Sequence, residues 1–272
     1  MFDDTTGGTL VSHRQRIWLY GVGILALLFL IFPIFIVVPM SFSDSRFLQF
    51  PPEAWSLRWY DHFFSSAEWM RSLRISLTAA FCTMLVATPL GVAAAYALHN
   101  AHGRYLRQLQ VLLIMPLMVP IIIVAIGLFF VYARTQLVGT MFGLVLAHTM
   151  MALPFVLIVS LAGLQSFDMD QEKVARSLGW NRFQSFMRVT LPQIRPSVVA
   201  GALFAFITSL DEVVIALFIT GGPNSTLTKR MFTALRDEID PTIAAISSML
   251  IVTSLAIVLA AALAGGRRRR RS

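Results

Sequence analysis

Two adjacent carboxylates, Asp211 and Glu212, stand inside the apolar run 200–220. An acid near the centre of a membrane span costs roughly 2.5–3.5 kcal/mol on insertion scales, so it must face protein or a water-filled path. Read as one helix, the pair shares a face with Thr208 and Ile215. Two carboxylates on a path would suit a cationic solute. The alternative is a buried pair that hydrogen-bonds to neighbouring helices. His148 lies in another apolar run, within AHTMMALPFV, where it either packs between helices or lines the same path.

The segment 171–196, QEKVARSLGWNRFQSFMRVTLPQIRP, is the one long polar stretch that reads as two short helices between apolar runs. Asp168 and Gln171 are spaced as a helix-start box, the Asp capping and the Gln reaching back. Val174, Ala175 and Leu178 share a helical face, and Gly179 suits a left-handed stop. Asn181 is placed to cap a second helix with Phe183, Phe186 and Met187 on one side and Arg182 and Arg188 elsewhere. Leu191-Pro192 is expected to close it, since proline cannot continue a helix interior. An amphipathic helix–turn–helix with exposed aromatics is built to dock on a partner.

Other chemistry finds no residues. The only lysines are Lys173 and Lys229, and no G-x-x-x-x-G-K-[ST] is present, so the chain binds no ATP through a P-loop. There is no H-E-x-x-H, and Cys82 alone makes neither a disulfide nor a zinc site. His99 and His102 lie three apart on a short loop and read as structural. No catalytic residue, metal site or cofactor is expected in this chain.

These residues must be held by membrane helices. Of 272 residues, 57% are hydrophobic and 13% charged, too apolar for an ordinary soluble domain. Runs of about 20 apolar residues mean spans. Six are expected, at 17–40, 75–98, 109–132, 139–164, 197–220 and 241–263. The first is too long and bulky for a cleaved signal core of about 7–15 residues. The loop 41–74 is rich in aromatics, among them Trp55, Trp59 and Trp69, which suits the headgroup level or an external partner. The small residues Gly91, Ala93, Ala94, Ala95 and Ala97 allow helices of the second span to approach closely.

Six spans put both termini on one side. Fourteen Lys and Arg lie on that side, among them Arg14, Arg104, Lys173, Arg195 and the tail Arg267 to Arg271, against eight on the other. Both termini, the N-terminal segment 1–16 and the arginine tail 265–272, are therefore expected in the cytoplasm, together with the polar loop 165–196. The net charge of +8 then reflects membrane topology rather than nucleic-acid binding, and the tail is placed to touch anionic lipid.

The polar loop resembles the cytoplasmic "EAA" loop of ABC importer permeases, whose pattern is Glu-Ala-Ala, three residues, Gly, nine residues, Ile, one residue, Leu-Pro. Here Lys173-Val174-Ala175, Gly179, Val189 and Leu191-Pro192 keep that spacing. The departure is Lys173 where the pattern has Glu, with Glu172 one place earlier; which of the two makes the polar contact stays open. PMSFSDSRFLQFPP and SLDEVVIALFITGG look like stretches of the spermidine/putrescine branch.

The resemblance implies an all-α, multi-pass protein of the bacterial inner membrane, working by alternating access. Its implied partners are an ABC ATPase dimer that holds ATP and Mg, a second homologous permease and an external solute-binding protein. It implies ATPase coupling through Glu172, Lys173, Ala175, Gly179, Phe183, Leu191 and Pro192. The residues themselves suggest a cation path at Asp211, Glu212, Thr208 and His148, and the resemblance of the acidic stretch implies a polyamine as solute. Another solute of the same importer class (an opine, 4-aminobutyrate, a metal chelate), a proton-coupled secondary carrier and a membrane scaffold are the rivals.

Overall fold

The computed structural model describes residues 17–101, 103, 105–237 and 240–269. The N-terminal segment 1–16, His102, Arg104 and the side chains of the arginine tail lie outside that description. The described chain is helical, with one isolated bridge between Ser43 and Trp55. Twelve α-helices are described: α1 (Ile17–Met40), α2 (Arg58–Ser65), α3 (Ala67–Asn100), α4 (Leu106–Ile114), α5 (Ile121–Thr135), α6 (Met141–Gln165), α7 (Asp170–Ser177), α8 (Arg182–Ser185), α9 (Leu191–Asp211), α10 (Val214–Ile219), α11 (Leu227–Asp237) and α12 (Thr242–Arg269).

Four described helical stretches are long and apolar enough to cross a membrane, Trp18–Met40, Ala67–Asn100, Met141–Gln165 and Arg182–Asp211. The bent pair Leu106–Leu117 and Ile121–Thr135 makes a fifth if it counts as one span. The described apolar part of α12, Thr242–Ala256, is shorter.

The expected spans are corrected in three places. The run 109–132 is not one helix; it turns by 95° between α4 and α5. Pro116 and Pro120 bracket the bend. Each lacks an N–H, and Val119 before Pro120 is pushed out of the helical region. The run 197–220 also breaks, because Glu212 is extended at φ −70°, ψ 119° between α9 and α10. The second span starts early, at Ala67, inside the expected loop. There Ser66 accepts from the Trp69 N–H and Glu68 sits in the first turn, both favourable at a helix N-terminus.

The chain forms two compact units. Of the described residues, one holds 17–61 and Asp240–Ile251. In it the Ser41 hydroxyl meets the Tyr60 hydroxyl at 2.7 Å, and the Trp59 indole N–H donates to the Ser45 carbonyl at 3.1 Å. The other holds the described residues of 62–237 and 252–269. Its core joins Ile75 and Ala79 of α3, Ala125 of α5, Leu144 and Ala147 of α6 and Ile215 of α10. A second cluster packs Ala87 and Val92 of α3 on Ala152 and Val156 of α6 and Ala205 of α9. Alanine and glycine dominate this seam because backbones approach closely there. A Cβ at Gly91 would sit 2.7 Å from the Val156 Cβ.

Candidate functional site

The polar segment after α6 folds as two short helices and a turn. Helix α7 ends in a Schellman stop: Gly179 N–H donates to the Arg176 carbonyl at 3.1 Å and Trp180 N–H to the Ala175 carbonyl at 3.3 Å. Gly179 takes φ +95°, where a side chain is disfavoured. Asn181 then caps α8 in a full capping box with Gln184. The expected box at Asp168 and Gln171 does not form. The Asp168 carboxylate accepts the Asp170 N–H, while the Gln171 side-chain oxygen accepts from Gln193 of α9 at 2.6 Å.

Leu191-Pro192 opens a helix rather than closing one. A π-helical turn, Phe186–Thr190, joins α8 to α9, with the Leu191 N–H reaching back to the Phe186 carbonyl. Pro192 falls in the first turn of α9, where its missing N–H costs little. The wider π turn absorbs the shift in register. The segment therefore runs as a continuous helical stretch from Arg182 to Asp211.

Glu172 points inward and Lys173 outward. Glu172 is 3% exposed; one of its carboxylate oxygens accepts from the Tyr96 hydroxyl of α3, the other from the Thr190 hydroxyl at 2.5 Å. Arg182 Nε donates to the Tyr96 oxygen at 3.4 Å. Beside this tie an apolar cavity of about 590 Å³ is lined by Pro89, Val92, Tyr96, Phe186 and Leu191. The polar cluster is thus a principal fastening of the segment to the foot of α3. Ala175 is buried, whereas Val174, Leu178 and Phe183 are 59%, 79% and 68% exposed. The expected apolar face of α7 is therefore split, Ala175 inward and the two larger side chains outward. Phe186 turns in on the Tyr96 ring at 4.7 Å.

The membrane acids also part company. Asp211 ends α9, is exposed and has no hydrogen-bond or ion-pair partner among the described residues. Glu212 is buried and caps α10, its carboxylate accepting the N–H of Ile215 at 2.9 Å and of Ala216 at 3.1 Å. The two do not share a helical face, because the helix has ended between them. His148 Nε2 lies 3.7 Å from the Glu212 carboxylate and makes no hydrogen bond. Its Nδ1 meets the Ser209 hydroxyl at 2.7 Å, which reaches Thr83 at 3.4 Å. His148 and Glu212 are thus brought together, Thr208 stays half-buried and Asp211 stands apart. At the far end of α10, Lys229 donates to the carbonyls of Leu217 and Thr220, favourable at a helix C-terminus. Burial lowers its pKa.

Sequence reasoning missed Tyr96, Thr190, Ser209 and Thr83. A hydroxyl in an apolar helix is common, and nothing in the local pattern shows what it touches. Tyr96 alone carried a signal, a polar-tipped aromatic near the end of a span.

The family of binding-protein-dependent transport system inner membrane components matches residues 87–270. The spermidine/putrescine transport system permease protein PotC of Haemophilus influenzae is 30% identical over 228 residues, covering 84% of this chain and 88% of that protein. The putrescine transport system permease protein PotI of Escherichia coli (strain K12) is 30% identical over 242 residues, covering 86% and 85%. A bacterial alginate ABC transporter, solved in complex with an alginate pentasaccharide-bound periplasmic protein, superposes with a TM-score of 0.68 at 17% identity, covering 91% of this chain and 93% of that one. That last likeness shows the fold alone.

Proposed function

This chain belongs to the inner membrane components of binding-protein-dependent transport systems, and from that we propose that it moves a polyamine through an ABC importer of which it is one permease subunit. Spermidine and putrescine are the solutes named for its relatives PotC and PotI. The observation that carries the solute class is Asp211, an exposed carboxylate with no partner among the described residues, at the break of an otherwise apolar helical run. A carboxylate kept there faces a watery path and attracts a cation. Glu212, with His148 behind it, holds the break open by capping α10. Thr208 lies one turn before Asp211 on the same helix.

The working cycle proposed is alternating access. Six spans place both termini and the segment 165–196 in the cytoplasm. A second permease completes the path, a pair of ATPase subunits binds ATP and Mg, and an external binding protein delivers the solute. Exposed Leu178 and Phe183 seat on the ATPase, and the Gly179 stop holds α7 and α8 at the angle that contact needs. A switch of this kind needs an element whose two states both ligands bias, and the segment is that lever.

Uptake of labelled putrescine and spermidine by cells lacking the gene, with and without its restoration, tests the reading. Restored uptake that survives an uncoupler and fails on ATP depletion supports it. Asp211→Asn should raise the half-saturating concentration about tenfold, the worth of one charge-assisted contact, with the ATPase still bound. Glu212→Gln should also weaken uptake. Unchanged kinetics in both would return the pair to a structural role. No polyamine uptake at all would leave the importer class standing and remove the proposed cation.

A further inference from the structure

The foot of α3 carries a second, polar pocket of about 350 Å³, lined by His99, Asn100, Glu172, Lys173, Arg176 and Arg182 together with Met169. Its one carboxylate, Glu172, is buried and occupied by the Tyr96 and Thr190 hydroxyls. Its cations keep donors to spare, although Arg182 Nε donates to the Tyr96 hydroxyl at 3.4 Å. Arg182 is held at the rim, its guanidinium carbon 5.3 Å from the Tyr96 ring centroid. Lys173 is 71% exposed and donates to Asp170, 75% exposed, at 2.7 Å. An exposed pair of that kind is weak and leaves two ammonium donors unused. Arg176 is exposed and makes no side-chain hydrogen bond among the described residues. Asp168 and Asp170 stand at the start of α7, where Asp168 accepts the Asp170 N–H; neither lines the pocket.

We propose that this pocket receives an acidic side chain of the ATPase subunit, held by Lys173, Arg176 and Arg182. The proposal rests on the docking role given above to the segment 165–196. Two observations favour a protein carboxylate as the occupant. The pocket is cationic and concave, and its own acid is already satisfied. It opens beside the exposed apolar side chains of Val174 and Leu178, so one partner surface would cover an apolar centre with a charged rim, the usual anatomy of an interface. The matching ATPase must therefore carry charge of the opposite sign at this point, which makes the pairing of subunits selective.

The whole importer, purified through a tag on this chain and treated with a carbodiimide that joins amines to touching carboxylates, tests the proposal. A peptide joining Lys173 to an Asp or Glu of the ATPase is expected. The double variant Lys173→Glu, Arg176→Glu should co-purify about tenfold less ATPase, in line with the cost of reversing charges at an interface. Both positions are exposed, so folding is not at stake. Links from Lys173 to Asp170 alone, with native amounts of ATPase on the double variant, overturn the proposal. Leu178→Asp separates the two levels. If it sheds the ATPase while the charge reversal does not, only the acidic contact is wrong. If neither sheds it, the docking role of the segment is wrong. Loss of binding to phosphatidylglycerol vesicles, relative to phosphatidylcholine, with the ATPase retained would make the pocket a lipid site and would also overturn the proposal.

Discussion

Removing the Glu172 carboxylate should loosen the segment 165–196 from α3 more than any other single truncation there. Glu172 is 3% exposed and Thr190 fully buried, while Tyr96 is half-buried. Each hydroxyl-to-carboxylate bond is charge-assisted and worth about 1.5–3 kcal/mol. Glu172→Ala ends both. The Tyr96 hydroxyl recovers part of its loss from water; the Thr190 hydroxyl cannot. The expected cost is about 3–4 kcal/mol, at the upper end for a point substitution. Glu172→Gln keeps the shape, and either hydroxyl can turn to accept from the new amide, so about 1 kcal/mol is expected. The assay is thermal unfolding of the detergent-purified importer, run beside uptake and the amount of ATPase retained. A double-mutant cycle of Glu172→Gln with Tyr96→Phe should show a coupling energy of about 0.5–3 kcal/mol. Strict additivity, or a Glu172→Ala protein as stable as the native one and importing at its rate, would refute the tie.

Two further predictions concern glycine. At φ +95° with open space around it, Gly179 should tolerate Asn best, lose about 1–2 kcal/mol as Ala, and as Asp abolish uptake while the protein stays in the membrane; normal uptake by Gly179→Asp would end its role in docking. Gly91→Val should clash with Val156, where even a Cβ would approach to 2.7 Å. It should cost about 1–3 kcal/mol as an overpacked seam, measured as thermal stability in detergent, and Gly91→Ala should cost less.

Much of the segment 165–196 was legible in the sequence because its chemistry is local. A glycine stop and an asparagine cap with glutamine three residues on work through their own backbone, and both are found at Gly179 and Asn181. The same kind of reading failed at Asp168 and Gln171 because the Gln193 amide, at the far end of the same segment, donates to the glutamine's oxygen. Proline also read ambiguously. Pro192 forbids a helix interior yet suits a helix start, and the π turn ahead of it decided for a start. At Pro116 and Pro120 the sequence showed that a helix would be disturbed but not that it would turn by 95°.

Apolar run length, the motif spacing and the presence of acids in a span came from the sequence by itself. They depend on composition and order alone, and they sufficed for an all-helical importer permease. Which way each charged side chain faces was decided by tertiary packing. Successive helical residues differ by about 100° around the axis, so Glu172 and Lys173 cannot both face α3. The hydroxyls of Tyr96 and Thr190 draw the acid inward and leave the lysine out. Asp211 and Glu212 are separated for the same kind of reason. Once Glu212 caps α10, its backbone leaves the helix, and one acid is buried while its neighbour meets solvent.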